Sequence, residues 1–272
     1  MYKVIILFLL TLSSFAGERI VSTVPSLSET LYELGLGEEV VGVSSYCLFD
    51  KEFCKRPKVG TSLDFSYEKI LKYGGKTVLL SKNTNKTQLS NLQKLNIEII
   101  LLKHDRLLDI YDSIQSLGKR FKKEERAKEM LDLLDKSFQE EFLKSKKRNV
   151  LFLISTEVRD GKIVKIQAVG AKNFYTDIMD RIGLNNILKE STVSFPELGR
   201  EKLLSLDYDY IIEIFGSHNK DSLNKKKSAW NDLLKYREKK FEYIPLVGDY
   251  LYIPGPSVWK TAKEIKKSLG RK

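Results

Sequence analysis

An internal repeat constrains this chain more than any other feature. The segment Ser66–Leu80, SYEKILKYGGKTVLL, returns in outline as Gly199–Glu213, GREKLLSLDYDYIIE. Glu68 aligns with Glu201, Lys69 with Lys202, Ile70-Leu71 with Leu203-Leu204 and Val78-Leu79 with Ile211-Ile212, always 133 residues apart. Two further pairs keep the same order. LGLGEEV (Leu34–Val40) precedes the first copy's partner segments as IGLNNI (Ile182–Ile187) precedes the second's, and IEIILL (Ile97–Leu102) corresponds to FEYIPL (Phe241–Leu246). Three matches in order point to two similarly built halves.

Each half alternates short apolar runs with amphipathic ones. RIVST, VVGVSS, TVLLS and IEIILL read as strands; SLSETLYELG, SYEKILKYG and TQLSNLQKL read as helices between them. This is the rhythm of a mostly parallel sheet covered by helices. From Leu107 to about Lys146 the strand signal vanishes. Leu107, Ile110, Tyr111, Ile114, Leu117, Met130, Leu131, Leu134, Phe138 and Phe142 recur at helical spacing with no proline. One long helix, or two helices nearly end to end, is expected there.

The expected fold is therefore α/β: two Rossmann-like lobes with parallel sheets, joined by one long backbone α-helix, with a ligand cleft between the lobes. The expected divisions are an N-terminal lobe over 17–105, the connecting helix over 106–147 and a C-terminal lobe over 148–272. In open parallel sheets, ligands meet the loops at the carboxyl ends of strands. Here those loops are VPSLSE, SSYCLFD, SKNTN, STEVRDG, GSHNK and VGDYLYIPG. Their hydroxyls, amides and aromatics suit orientation of a ligand and cover for its apolar faces.

Residues 1–16 read as a secretory signal peptide. Lys3 precedes the apolar run Val4–Leu10, and Ser14 and Ala16 are the small residues of a cleavage site after Ala16. The run is too short to span a bilayer, and no cysteine follows it to carry a lipid. The expected location is periplasmic. The formal charge is +11, but the lysines interleave with glutamates, as in KRFKKEERAKEML. A solvated, ion-paired helix face accounts for that pattern, and no nucleic-acid motif accompanies it.

Export bears on the two cysteines, Cys47 and Cys54. They lack CxxC spacing, and two thiols alone make a poor zinc site. In an oxidising compartment they are expected to form a local disulfide, the alternative being two free, partly buried thiols.

RIVSTVPSLSETLYELGLGEEVVGVSSYC, followed by PKVGTSLDFSYEKIL, resembles the N-terminal lobe of the periplasmic binding proteins that serve ABC importers of cobalamin and iron chelates. The resemblance continues through VGAKNFYTDIMDRIGLNNI, FPELGREKLLSLDYDYII and WNDL to GDYLYIPGPSVWKTAKEI, covering essentially the whole mature chain. It implies two lobes, a rigid connecting helix and small hinge motion on binding. It also implies one docking glutamate per lobe for the permease, at the positions of Glu68 and Glu201. Both fall in a helical first turn, where the helix dipole favours a glutamate regardless of docking.

The implied ligand site comprises Pro25, Ser26, Tyr46, Ser62, Phe195, Asp249, Tyr250 and Tyr252. Asp249 stands where cobalamin binders carry an aspartate. Ser62 departs from the pattern, which can carry a tryptophan there. Each aromatic has simple packing as its other explanation. The implied function is capture of a cobalamin-like corrinoid or iron chelate and delivery to an ABC permease and its ATPase by a monomer, with no resident cofactor or metal. Haem or a ferric siderophore is the alternative ligand, with His104 and His218 as candidate iron ligands. An exported enzyme is disfavoured by the absence of a G-x-S-x-G elbow and of a glycine-rich phosphate loop.

Overall fold

The computed structural model describes residues 17–139, 148–236 and 239–270. The expected signal peptide and residues 140–147 of the expected connecting helix lie outside the described residues.

The first sheet consists of β1 (Ile20–Ser22), β2 (Val40–Ser44), β3 (Lys58–Gly60), β4 (Thr77–Ser81) and β5 (Glu98–Leu102). Its order is β3-β2-β1-β4-β5, and every pair is parallel. All five residues of β4 are buried, as befits a strand covered on both faces. Helices α1 (Pro25–Glu33), α2 (Tyr67–Lys72) and α3 (Lys86–Lys94) make the crossovers. Pro25 opens α1, where a missing N–H costs nothing. Ser66 caps α2 by accepting from the Lys69 N–H at 3.2 Å, and Asn85 caps α3 by accepting from Gln88 N–H at 2.9 Å.

The second sheet is mixed. It contains β6 (Arg148–Arg159), β7 (Lys162–Ala168), β8 (Leu184–Asn186), β9 (Glu197–Leu198), β10 (Tyr210–Phe215) and β11 (Glu242–Val247). Strands β8, β6, β10 and β11 pair in parallel and repeat the order of β2, β1, β4 and β5. The sequence repeat thus lies on equivalent strands. To this parallel set the second sheet adds β7, antiparallel beside β6, and β9, antiparallel beside β7, which the sequence rhythm did not indicate. STEVRDG is likewise not a loop: its first five residues extend β6, and Asp160 and Gly161, at φ 49° and 72°, turn the chain into β7. That pair of left-handed residues suits a tight hairpin.

Between the lobes lie α4 (Leu107–Arg120) and α5 (Glu124–Gln139). The expectation of one continuous helix across 106–147 is corrected. Lys122 takes φ 56°, and the chain turns back on itself. Tyr111 Oη donates to Asp135 Oδ1 at 2.7 Å, so the helices lie side by side and antiparallel rather than end to end. Gly118 lets α5 approach, since a Cβ there would meet the Ala127 methyl at 2.5 Å.

The C-terminal half is completed by α6 (Phe174–Arg181), α7 (Arg200–Ser205), α8 (Lys220–Leu234) and α9 (Val258–Leu269). One apolar cluster runs through both halves, from Leu27 and Leu31 through Ile114 and Leu134 to Phe152, Ile212 and Ala262. Two smaller clusters fill the outer side of each sheet.

Candidate functional site

The strand ends of both sheets converge on a cleft. Pro25 and Ser26 follow β1, Tyr46 follows β2, Ser62 follows β3 and His104 follows β5. From the other half come Gly216 after β10 and Asp249, Tyr252 and Pro254 after β11. The cleft holds two cavities that share His104, Tyr252 and Pro254.

One cavity, of about 550 Å³, is walled by Pro25, Ser26, Tyr46, Leu48, Ser62 and Asp249. The other, of about 430 Å³, lies against Ile154, Gln167, Lys172, Tyr175 and Phe195. Seven of the eight ligand-site residues expected from sequence therefore lie on the cleft. Tyr250 does not line either cavity; it packs half-buried against the large apolar cluster.

Local hydrogen bonding fixes the lips. Ser44 Oγ accepts from the Tyr46 N–H at 3.2 Å, and Cys47 and Cys54 form a disulfide immediately behind. Thr61 Oγ1 accepts from the Leu63 and Asp64 N–H groups at 3.2 and 3.1 Å, shaping the turn that carries Ser62. Gly60 takes φ 115°, and a Cβ there would collide with the Asp64 carbonyl. Across the cleft, Asp249 Oδ1 accepts from the Ser217 N–H at 2.8 Å, joining two strand-end loops. Tyr252 Oη donates to the Ile214 carbonyl at 3.0 Å, and Tyr175 Oη to the Leu251 carbonyl at 2.7 Å. These bonds hold ring faces toward the cavities while satisfying the hydroxyls.

The electrostatics are mild. Burial lowers the pKa of His104, against the pull of Asp105 and Asp109, so its imidazole is neutral at physiological pH. Its Nδ1 is buried without a hydrogen-bond partner. Burial, helped by the charge of Glu213, pushes Tyr252 up to about 12 and keeps it a neutral phenol. Lys172 and Asp105 line one cavity and Asp249 the other. His218 is exposed and lines neither. Among the described residues, no group of three or more His, Cys, Asp or Glu is placed to hold a metal ion. The same residues include no helix long and apolar enough to cross a membrane.

Sequence reasoning missed Lys172, Gln167 and Tyr175. Gln167 sits on antiparallel β7, which the expected topology lacked. Lys172, at φ 54°, and Tyr175 flank Asn173, whose Oδ1 caps α6 by accepting from the Thr176 N–H at 3.0 Å. The N-cap asparagine was the available signal for a helix start at the cleft wall.

Glu68 and Glu201 are exposed in the first turns of α2 and α7. These helices precede the equivalent strands β4 and β10, so the two carboxylates occupy corresponding places in the two halves.

The sequence profile described as periplasmic binding protein matches residues 20–232. The chain is 23% identical over 263 residues to the uncharacterized ABC transporter substrate-binding lipoprotein YvrC of Bacillus subtilis, covering 93% of this chain and 80% of that one. It is 22% identical over 206 residues to the vitamin B12-binding protein of Yersinia pseudotuberculosis, covering 74% and 71%. The periplasmic haem-binding protein HutB of Vibrio cholerae superimposes with a TM-score of 0.72 at 18% identity, over 93% of this chain and 98% of that one.

Proposed function

The chain belongs to the periplasmic binding protein family, and we propose that it is the substrate-binding component of an ABC importer that captures a cobalamin-like corrinoid or iron chelate. The observation that carries this reading is the cleft itself. Two adjoining cavities of about 550 and 430 Å³ are faced by Tyr46, Leu48, Phe195 and Tyr252. Their size suits a bulky organic ligand rather than a bare ion, and their apolar rings suit the faces of a macrocycle.

The ligand leaves unchanged, since capture and delivery require no bond to break. The mature protein acts in the periplasm after removal of residues 1–16, as a monomer with a 17–105 lobe and a 148–272 lobe. Glu68 and Glu201 present one carboxylate per lobe to basic residues of the permease, whose ATPase drives release. The disulfide between Cys47 and Cys54 supports the lip that carries Tyr46.

Calorimetric titration of the mature protein with cyanocobalamin tests the ligand. Saturable one-to-one binding with unchanged ligand recovered afterwards is the expected result. Absence of both heat and thermal stabilisation overturns the corrinoid reading. The second reading, haem, is favoured by neutral His104 on both cavities, and the same titration with haem tests it.

A further inference from the structure

Glu29 lies on α1, one turn beyond the cleft-lining Ser26, and is 2% exposed. Across from it runs Gly255–Ser257, which leads from the cleft-lining Pro254 into α9. The two segments touch closely. A Cβ on Gly255 would collide with Glu29 Oε2 and lie 3.3 Å from the Cα and Cβ of Ser26. Here the first half of the chain meets the last, directly beneath the cavity.

The charges around Glu29 are few. From α9, Lys260 attracts its carboxylate, and Ser257 steadies it by hydrogen bonding through hydroxyl and backbone. From α1 itself, Glu33 repels it. Arg126 of α5 lies beyond, paired to Glu33 at 3.5 Å. These groups leave Glu29 Oε2 without a partner, and Ser26 Oγ on the same helix is equally unpartnered. Burial outweighs the stabilising contacts and raises the Glu29 carboxyl to about 7.

We propose that Glu29 is a positioning residue for ligand capture: a proton on its carboxyl keeps α1 and the start of α9 closed beneath the cleft, and loss of that proton loosens the seam. The proposal rests on the reading of the cleft as a ligand site. An ionised carboxylate with a bare oxygen gains by admitting water. Water reaches Oε2 only if α1 and Gly255 part. Pro25 and Ser26 stand on one side of that seam and Pro254 on the other, so parting shifts two walls of one cavity. Ligand binding to the closed seam therefore takes up a proton, and affinity falls as the pH rises through neutrality.

Two readouts test this on the mature protein. The first is the affinity for cyanocobalamin between about pH 5.5 and about pH 8.5, where a single proton changes affinity by at most about tenfold per pH unit. Wild type is expected to weaken by about tenfold or more over that range. Glu29→Gln, which keeps the shape without the charge, is expected to hold the acid-limb affinity throughout. A Glu29→Gln profile that parallels wild type overturns the proposal.

The second readout needs no ligand. Spin labels on cysteines introduced at the exposed positions Leu63 and Val193 report the separation of the two halves. The label distance is expected to lengthen or broaden at alkaline pH in wild type and to stay fixed in Glu29→Gln. Gly255→Ala, whose methyl would crowd Glu29 Oε2 and Ser26, is expected to give the longer distance at every pH. A pH-independent distance in wild type, or an unchanged one in Gly255→Ala, overturns the proposal. Failure of cyanocobalamin to bind, with label distances behaving as expected, overturns the corrinoid reading and leaves the role of Glu29 in the seam standing.

Discussion

Arg106 grips Asp177 as a fork: Nε donates to Oδ2 at 2.8 Å and Nη2 to Oδ1 at 2.5 Å. Arg106 caps the start of α4 and Asp177 sits in the first turn of α6, so the pair ties the central helices to the second half. The same Oδ2 accepts the Leu107 N–H at 2.9 Å. Replacing Asp177 by alanine removes all three bonds. Because Arg106 is partly exposed, solvent screens much of the attraction. The expected loss is about 1–2 kcal/mol in urea denaturation, and the share owed to the ion pair shrinks in high salt.

Glu29 gives a stability signature distinct from its effect on the ligand. Its pKa rises from 4.5 to about 7 on folding. Between those values the folded chain holds a proton that the unfolded chain has released. The stabilisation is thus full below about pH 4.5 and is lost as the pH rises through 7. The difference amounts to about 3 kcal/mol at most. Denaturation of wild type and Glu29→Gln across this window should show wild type alone losing that increment. Equal slopes for the two proteins would contradict it.

Tyr46 and Phe195 line the two adjoining cavities, one each, from opposite halves and are 66% and 40% exposed, so their rings add little to folding. Tyr46→Ala and Phe195→Ala are each expected to weaken cyanocobalamin binding by about 1–2 kcal/mol, roughly tenfold, while leaving the melting temperature within a degree or two. Calorimetry and thermal melts on the same samples separate the two effects.

The Cys47–Cys54 disulfide closes a short loop at the Tyr46 lip, with a sequence separation of seven. Chain-entropy arguments assign such a loop about 2–3 kcal/mol. Cys47→Ser with Cys54→Ser should lose that much in denaturation. Ligand affinity should fall with it, because Tyr46 then rides on a longer tether. Intact mass before and after reduction should differ by two hydrogen atoms in wild type only.

Glu68→Ala combined with Glu201→Ala should leave ligand affinity unchanged, since both side chains are exposed on α2 and α7 away from the cavity walls. Uptake by cells carrying the double variant should drop to background. Uptake at the wild-type rate would remove both residues from the docking surface.

Much of the fold was legible because the repeat carried it. The aligned pairs Ile70-Leu71 and Leu203-Leu204 fall on α2 and α7, with Ile70 and Leu203 buried, and Val78-Leu79 and Ile211-Ile212 fall on β4 and β10, so the two sets occupy equivalent places. The turn at Lys122 was not legible. Apolar spacing continues on both sides of it, and only a lysine in a left-handed conformation marks the reversal. Strand β7 was missed although Asp160-Gly161 is a hairpin signal, because the expected rhythm favoured a crossover after β6. The cleft lips were legible from the loops at strand ends. Lys172 and Gln167 were not, since their position depends on the antiparallel strands. Nothing in the sequence singled out Glu29, which is buried on α1. Only the tertiary approach of Gly255 buries it.

The apolar cluster that passes unbroken from Leu27 through Leu134 to Ala262 has a consequence for how the chain can be divided. Cutting the polypeptide between its halves would leave each fragment with a torn face rather than a finished interior. The halves resemble one another in strand order, yet neither is a self-sufficient module that could be transplanted, swapped or expressed by itself. A chain built this way has to finish its last helix before its first sheet is secure.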